Sequence, residues 1–373
     1  MPHAYGNSRD KIAIRTMTRT LEGLQKEAIV NDGLCGTAWR IVCDEGPWLN
    51  GTDLAPFPLA YYSAGMVSTL ASEIVALAKQ RDINIQDLRI IQDARYTMEG
   101  SAVNKTMTGT ALPLEIEVML KSSTIKERID ELVYHALAAS PADAVMRTAL
   151  PSRFNIIKNG QPLKVGKVRA SPTPATDDPT ALFNQIAEAD DAAFATGIIK
   201  KLEDVDTSNA KPATAVGYAA EQKRMVKVRA VLAIQSDGLK SIQVQCIKPP
   251  GSVFNFLSDD PEVFGGRERA PSGLQYLSAG VAFCYMTQLG RFANIVKQDL
   301  ESYSIVQDTV FSLPGGSAYL GKSATAEPVD THVLVTSREE DGAIRLLVDM
   351  GEQTCYLHAS YRGVAKTRLR LVT

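Results

Sequence analysis

Two stretches of the chain, APFPLAYYSAG (Ala55–Gly65) and APSGLQYLSAG (Ala270–Gly280), decide the fold because each is a copy of the other. They agree at seven of eleven positions and lie 215 residues apart. The same spacing places IIQD (Ile90–Asp93) on IVQD (Ile305–Asp308), and no net gap is needed over more than 90 residues. Matches held in one register indicate an internal repeat, so the chain is predicted to contain two copies of one fold.

Each copy predicts a similar order of elements. A strand-rich segment and a proline-containing turn lead into a long apolar helix, over Leu59–Gln80 in the first copy and Leu274–Val296 in the second. Both helices are apolar on most sides near their starts, which is typical of a helix buried at the centre of a fold. Strands follow each helix, and the first copy also shows a clear second helix over 125–140. The predicted fold class is therefore α/β.

The repeat also divides the chain. We expect a first domain over 1–165, a linker over 166–214 and a second domain over 215–373. The ends of the linker are rich in Pro, Asp and Thr, as connecting segments often are. Its middle, over 180–190 and 191–202, could be helical, and we expect no chemistry there.

Composition excludes several classes of function. The 373 residues carry a net charge of −2, which gives no electrostatic reason to expect nucleic acid or an anionic membrane as a partner. No apolar run approaches the roughly 20 residues of a membrane helix, and the polar N-terminus lacks the core of a signal peptide. We therefore expect a cytoplasmic protein, in which the five cysteines do not form a disulfide framework. Three of them fall on predicted strands as packing residues: Cys35, Cys43 and Cys246.

Two stretches resemble ligand-binding motifs, but each lacks a feature that its motif requires. Cys355-x-x-His358 resembles half of a metal site but has no second pair at a matching spacing, so we predict no metal. GSAYLGKS (Gly316–Ser323) matches the phosphate-loop pattern, but Pro328 and a β-rich run follow it. A phosphate loop must lead into a helix, so we expect neither ATP nor any other bound cofactor.

The repeat singles out two cysteines. Cys284 in the second long helix corresponds to Thr69, and Cys355 corresponds to Ser140, so the second copy carries a thiol at two positions where the first carries none. Both cysteines are predicted to lie near helix starts, where the helix dipole stabilises a thiolate. Such a thiol with a second thiol in reach can reduce a peroxide, passing through a sulfenic acid to a disulfide. For each cysteine, an inert packing role is the alternative.

These features resemble a known family. A proline, the opening of an apolar helix, SAG-x-x-x-C, and a second cysteine about 70 residues later before a short helix and a last strand are similar to the OsmC/Ohr family of thiol-dependent peroxidases. The resemblance covers 32–160 and 215–373. It implies an intertwined pair of units with long central helices between curved antiparallel sheets. A tandem chain would form this pair within itself, as a pseudo-dimer.

The resemblance also implies roles for particular residues. Cys284 looks like the cysteine that attacks the peroxide, and Cys355 looks like the resolving cysteine. Peroxidases of the family usually carry a glutamate about ten residues before the first cysteine, where this chain has Leu274. The family's thiolate-holding arginine has no match by register, and the loop before the helix offers Arg267 and Arg269 as candidates.

Two functions follow as alternatives. The first is a thiol-dependent peroxide reductase whose partners are a peroxide substrate and an external dithiol reductant. The second is an OsmC-like redox sensor or small-ligand-binding scaffold without peroxidase activity, which the missing glutamate and the absence of a thiol from both site positions of the first copy favour. The sequence leaves open whether two such chains associate further.

Overall fold

The protein is described by a computed structural model that covers residues 10–33, 37–185, 197–205, 222–313 and 321–372. The first half contains β1 (Lys11–Thr20), β2 (Lys26–Asn31), β3 (Ala38–Cys43), α1 (Pro58–Gln80), β4 (Asp87–Gly100), β5 (Thr108–Ala111), β6 (Glu115–Lys121), α2 (Lys126–Ala139), α3 (Pro141–Arg147), β7 (Arg153–Lys158), β8 (Gln161–Leu163) and β9 (Arg169–Ala170). The remainder contains α4 (Thr180–Gln185), β10 (Ile199–Glu203), β11 (Gln222–Ile234), β12 (Lys240–Lys248), β13 (Val253–Ser258), α5 (Gly273–Val296), β14 (Ser302–Ser312), β15 (Asp330–Thr336), α6 (Asp341–Thr354), α7 (Tyr356–Arg362) and β16 (Arg368–Val372).

Both sheets are built from both halves of the chain. Sheet A has the strand order β3-β2-β1-β14-β15-β7-β8, with β9 beside β7, so strands of the second half lie between strands of the first. Sheet B has the order β10-β13-β12-β11-β4-β6-β16, with β5 beside β4. Neighbours are antiparallel except at β15–β7, β16–β6 and β7–β9. The lead-in strands of each half therefore pair with the post-helix strands of the other half, which is the intertwining that the resemblance implied.

The two long helices form the centre of the molecule. The predicted helices begin within one residue of the observed starts of α1 and α5, and both run to the predicted ends. Helix α1 packs on sheet B, α5 packs on sheet A, and the helices contact each other. Matching tyrosines anchor them, since the Tyr61 hydroxyl donates to the carbonyl of Val42 and the Tyr276 hydroxyl donates to that of Leu257. These bonds obey the 215-residue register and confirm the predicted fold class.

The repeated SAG motif explains how closely the helices pack. A Cβ atom on Gly65 would lie 2.5 Å from the carbonyl oxygen of Gly273, and one on Gly280 would lie 2.6 Å from the backbone nitrogen of Tyr62. Only glycine leaves room for a backbone contact of this kind. The contacts join the start of each helix to the middle of the other, so α1 and α5 are antiparallel.

The linker differs from its prediction. Within 180–190, the described part forms α4 only over Thr180–Gln185, and residues 186–196 lie outside the described residues. The helix predicted over 191–202 is wrong where it can be tested, because Ile199–Glu203 is strand β10 and pairs with β13. Strand β10 thus joins sheet B, and strand β9 of the linker pairs with β7 of sheet A. The linker therefore adds a strand to each sheet.

Several further sequence predictions can be compared with the described residues. Helix α6 has no counterpart in the prediction, although Ile344, Leu347, Val348 and Gly351 mark a buried face at helical spacing. Most of Gly316–Ser323, and also Cys35, lie outside the described residues, and no helix follows Ser323 before β15 begins. In the part of the chain that the structure describes, no helix has the length and hydropathy needed to cross a bilayer.

Candidate functional site

Cys355 is the N-cap of helix α7. Its sulfur accepts the backbone N–H of His358 at 3.5 Å, and Nδ1 of the same residue lies 3.3 Å from it. Ser140 is the N-cap of α3 and accepts the N–H of Asp143 in the same way. The sequence correctly placed Cys355 at a helix start, where a thiol replaces the usual capping hydroxyl.

Cys284 lies in the middle of α5, and the prediction of a helix start is wrong for this residue. At 1.5 Å per residue, it is about 16 Å along the helix from Gly273, beyond the reach of a dipole effect that fades within the first turn. The long helix runs on because its capping box is formed by Ser272 and Gln275, well before the cysteine.

Cys284 influences the ionisation of Cys355, although 71 residues separate them in the sequence. Burial raises the pKa of Cys355 well above its usual range, and a side-chain hydrogen bond with Cys284 raises it further. The backbone N–H groups of His358 and Leu357 act in the opposite direction. The Cys355 thiol therefore keeps its proton near neutral pH. All four described cysteines are free.

The structure does not bring the two proposed arginines to this pair. Arg269 forms ion pairs with Asp259, at 2.7 Å, and with Asp237, while Arg267 is exposed. Leu274, which stands at the place of the family glutamate, lines a small cavity of about 20 Å³ with Thr69 and not with Cys284. The loop before α5 therefore faces the cysteine-free position.

Strand exchange and antiparallel helices explain this displacement. The segment that reaches the far part of α5 is the one after β3, in the first half, where Glu45 accepts the hydroxyl of Thr287 at 2.5 Å. Thr287 is one turn beyond Cys284 on the same helix. Lys26 lies 3.8 Å from Glu45, and both are buried. The acid and a cation are thus supplied by the other half of the chain.

These buried groups shift one another's ionisation. Burial raises the pKa of Glu45, while Lys26, the Thr287 hydroxyl and Arg291 oppose the rise. Burial also raises the pKa of Cys43 well above its usual range, with Lys26 opposing and Glu45 and Cys284 adding to it. Cys43 was predicted to be a packing residue on a strand; it does pack in the core on β3, and it also borders the thiol pair.

The pseudo-symmetric position carries a matching polar set without sulfur. Ser72 donates to Asp260 at 2.8 Å, and Lys240 lies 2.8 Å from the same carboxylate. The 215-residue register relates the residues of the two positions as follows: Cys43 to Ser258, Thr69 to Cys284, Tyr96 to Phe311, Ser140 to Cys355 and Asp143 to His358. Both positions therefore have a carboxylate with a hydroxyl group and a lysine beside it. Only one position has the thiols, the histidine and the tyrosine.

Aromatic rings enclose the thiol pair. Burial raises the pKa of Tyr96 well above its usual range, and Tyr62 and the thiols Cys284 and Cys355 add to the rise. The Tyr96 hydroxyl is fully buried and has no hydrogen-bond partner in the described part of the chain. Its ring centre lies 5.4 Å from that of Tyr356. A buried hydroxyl without a partner costs about 1–3 kcal/mol, so this donor is available to a ligand.

A groove lies at the surface beside the C-terminal part of α5. It has a volume of about 510 Å³, and its lining includes Trp48, Arg224, Arg291 and Tyr303. Burial raises the pKa of Tyr356 to about 12, and Arg291 and Arg224 oppose this rise, so both guanidinium groups lie near the residue that follows Cys355. The groove is therefore lined by basic side chains.

Arg147 and Arg362, which the 215-residue register relates, have a structural role. Arg362 donates to the carbonyls of Glu352 and Gln353 at the end of α6, and across to Gly109 in the other half. Arg147 donates to the end of α2 and across to Ala324. Both arginines therefore bind carbonyl groups at helix ends. Within the described residues, no cluster of His, Cys, Asp or Glu could hold a metal ion.

Sequence reasoning missed Lys26, Glu45, Tyr96 and His358. Three of them lie in the first half and reach the thiols only through strand exchange, which residue spacing does not reveal. For His358 the alternatives from the sequence are a solvated or a packing residue, and the buried ring agrees with packing. The Cys-x-x-His spacing at an N-cap was the available signal.

Comparisons of the chain with known proteins give only weak similarities. No protein-family model matches the chain, and no curated protein sequence matches it. An OsmC-like hydroperoxide resistance protein from Jannaschia sp. CCS1 is 19% identical, with 35% of this chain and 81% of that chain covered and a TM-score of 0.21. A putative osmotic stress induced and detoxification response protein from Psychrobacter arcticus 273-4 is 16% identical, with coverages of 37% and 88% and a TM-score of 0.24. Scores this low carry no conclusion about activity.

Proposed function

We propose that this protein reduces peroxides with the thiol pair Cys284 and Cys355. The observation that supports the proposal is the presence of two buried thiols, one influencing the pKa of the other, at one of two equivalent positions, where the other position has Thr69 and Ser140. Thr69 and Ser140 fill the equivalent places with hydroxyl groups, so packing at these places does not require sulfur.

We assign the roles from the family resemblance and from the ionisation of Cys355. Burial raises the pKa of Cys355 well above its usual range, so we take Cys284 as the nucleophile and Cys355 as the resolving thiol. The Cys284 thiolate attacks one peroxide oxygen, the O–O bond breaks, and the alcohol leaves after protonation. The Tyr96 hydroxyl is placed to donate to the departing oxygen. Cys284 becomes a sulfenic acid.

The second step joins the two sulfurs. Cys355 attacks the Cys284 sulfur, the S–O bond breaks, and water leaves as the disulfide forms. An external dithiol then reduces the disulfide, which fits the cytoplasmic location expected from the sequence. Lys26 and Glu45 take the place of Arg267 and Arg269 as the charged groups beside this chemistry.

Peroxide consumption tests the proposal. Purified protein receives cumene hydroperoxide and a dithiol, and turnover is compared among wild type, Cys284→Ser, Cys355→Ser and the control Cys246→Ser, which alters a cysteine on β12. We expect turnover in wild type and Cys246→Ser and its loss in Cys284→Ser. Absence of turnover in wild type, or equal turnover in Cys284→Ser, sinks the proposal.

A redox sensor or ligand-binding role is the second candidate. The observation favouring it is burial, because Cys284 is 3% exposed and Cys355 is fully buried, with a strongly raised pKa. A sensor would form the disulfide once per oxidation without sustained turnover. Stoichiometric thiol loss in wild type, with no continued peroxide consumption in excess dithiol, identifies this case.

A further inference from the structure

His358 has an environment that packing does not explain. Its ring stacks on Phe154 at 5.6 Å between centres and lies 4.9 Å from Tyr285. Nε2 is buried and has no partner in the described part of the chain, while Nδ1 lies 3.3 Å from the Cys355 sulfur. The imidazole therefore directs its one polar contact at a sulfur that must react.

The equivalent residue at the cysteine-free position behaves differently. Asp143 accepts the hydroxyl of Thr367 at 2.5 Å and lies 3.5 Å from Arg147, so its polar atoms take part in structural bonds. The basic ring is present only where the N-cap is a thiol. The Cys355–His358 pair is therefore specific to the thiol position and is not one of the features that both positions share.

We propose that His358 accepts the thiol proton of Cys355 while the Cys284–Cys355 disulfide forms. This inference rests on the peroxide chemistry proposed above. The Cys355 sulfur bonds to the sulfur of the Cys284 sulfenic acid, and its proton passes to Nδ1. The S–O bond breaks, and the departing hydroxide takes the proton from Nδ1 and leaves as water. His358 ends neutral, so atoms and electrons balance.

The surroundings keep this ring neutral over a wide pH range. Burial, with a smaller effect from Arg362, lowers the pKa of His358 to about 3, so at pH 5–8 the ring is a neutral but weak base that holds the proton only while the S–S bond forms. The ionisable groups facing it are Cys355 and Arg362 from its own segment and Tyr285 from α5, while Phe154 of β7 is uncharged. A thiol with a raised pKa is hardly ionised in that range, so it needs a proton acceptor to react.

Two substitutions separate proton transfer from structure. His358→Asn keeps a polar atom near the Nδ1 position but cannot take up a proton, and His358→Phe keeps the ring volume. After one addition of cumene hydroperoxide, dimedone trapping follows the sulfenic acid and quenched mass spectrometry follows the disulfide. Thermal melting of each variant reports folding.

We expect both variants to form sulfenic acid at the wild-type rate but to form the disulfide about 100-fold more slowly at pH 6. Disulfide formation in wild type should be nearly constant between pH 5 and 8, whereas in His358→Asn it should rise about tenfold per pH unit with the thiolate fraction. A wild-type rate that rises tenfold per unit, or full rescue by asparagine, overturns this inference alone. Wild type that forms no Cys284–Cys355 disulfide overturns the proposed function as well.

Discussion

Replacing Gly280 by alanine should separate the two central helices. The new Cβ atom would lie 2.6 Å from the backbone nitrogen of Tyr62 and 3.0 Å from the carbonyl oxygen of Pro58. Non-bonded atoms are most favourably about 3.5–4.0 Å apart, so α5 must move by about 1 Å relative to α1. Neither neighbour can rotate away, because both are backbone atoms of a buried helix.

The expected cost follows from two opposing effects. Forcing an extra methyl group into a packed core costs about 1–3 kcal/mol, while alanine gains at most about 1 kcal/mol over glycine in a helix. Because the methyl group meets fixed backbone at 2.6 Å, the cost should lie near the upper end, about 3 kcal/mol, and the net loss in free energy of unfolding should be about 2 kcal/mol. Cys284 lies one turn beyond Gly280 on the same face, so peroxide turnover should also fall in the variant.

Urea unfolding monitored by circular dichroism measures this effect, and Gly342→Ala is the control. A Cβ atom on Gly342, in the first turn of α6, meets nothing within 4 Å, so this variant should be as stable as wild type or more stable. A Gly280→Ala protein that unfolds at the wild-type urea concentration, beside a control that behaves as expected, refutes the argument from helix packing.

Three further substitutions test the site. Arg269→Ala should keep the turnover number of wild type while lowering the melting temperature, because the guanidinium pairs with the buried Asp259 and not with a thiol; a large loss of turnover in folded protein contradicts this. Tyr96→Phe should slow sulfenic acid formation about tenfold or more, measured by stopped flow, through loss of a donor to the leaving oxygen; an unchanged rate removes Tyr96 from the mechanism. His358→Asn should resist acid better than wild type. The unfolded state gains a proton below the ordinary histidine pKa and the folded state only near 3, so wild type loses up to about 5 kcal/mol between pH 6.5 and 3 that the variant keeps, as urea titrations at several pH values would show.

The fold was largely predictable because it rests on one strong signal. The repeated SAG stretch lies where two helices need glycine to touch, and the register carried from it located α1, α5 and the strands after them. The weaker signals failed. A strand over Ile199–Glu203 took the place of a predicted helix, because pairing with β13 outweighs local propensity.

The candidate site was predictable only in its sulfur atoms. Register alone singled out Cys284 and Cys355, and both are buried in the core of the structure. The charged residues were sought in the loop before α5 because that loop is close in sequence. Strand exchange instead brings Lys26 and Glu45 from the other half, and a register shows which segments are equivalent without showing which copies pair.

Peptide mapping after oxidation tests the central claim most directly. Reduced wild-type protein receives one equivalent of cumene hydroperoxide, is alkylated, digested without reductant, and examined by mass spectrometry. The proposed pair predicts a Cys284–Cys355 linked peptide as the main product, with Cys246 still alkylated. Recovery of both Cys284 and Cys355 as alkylated thiols, or a disulfide that joins Cys284 mainly to Cys43, would contradict the account.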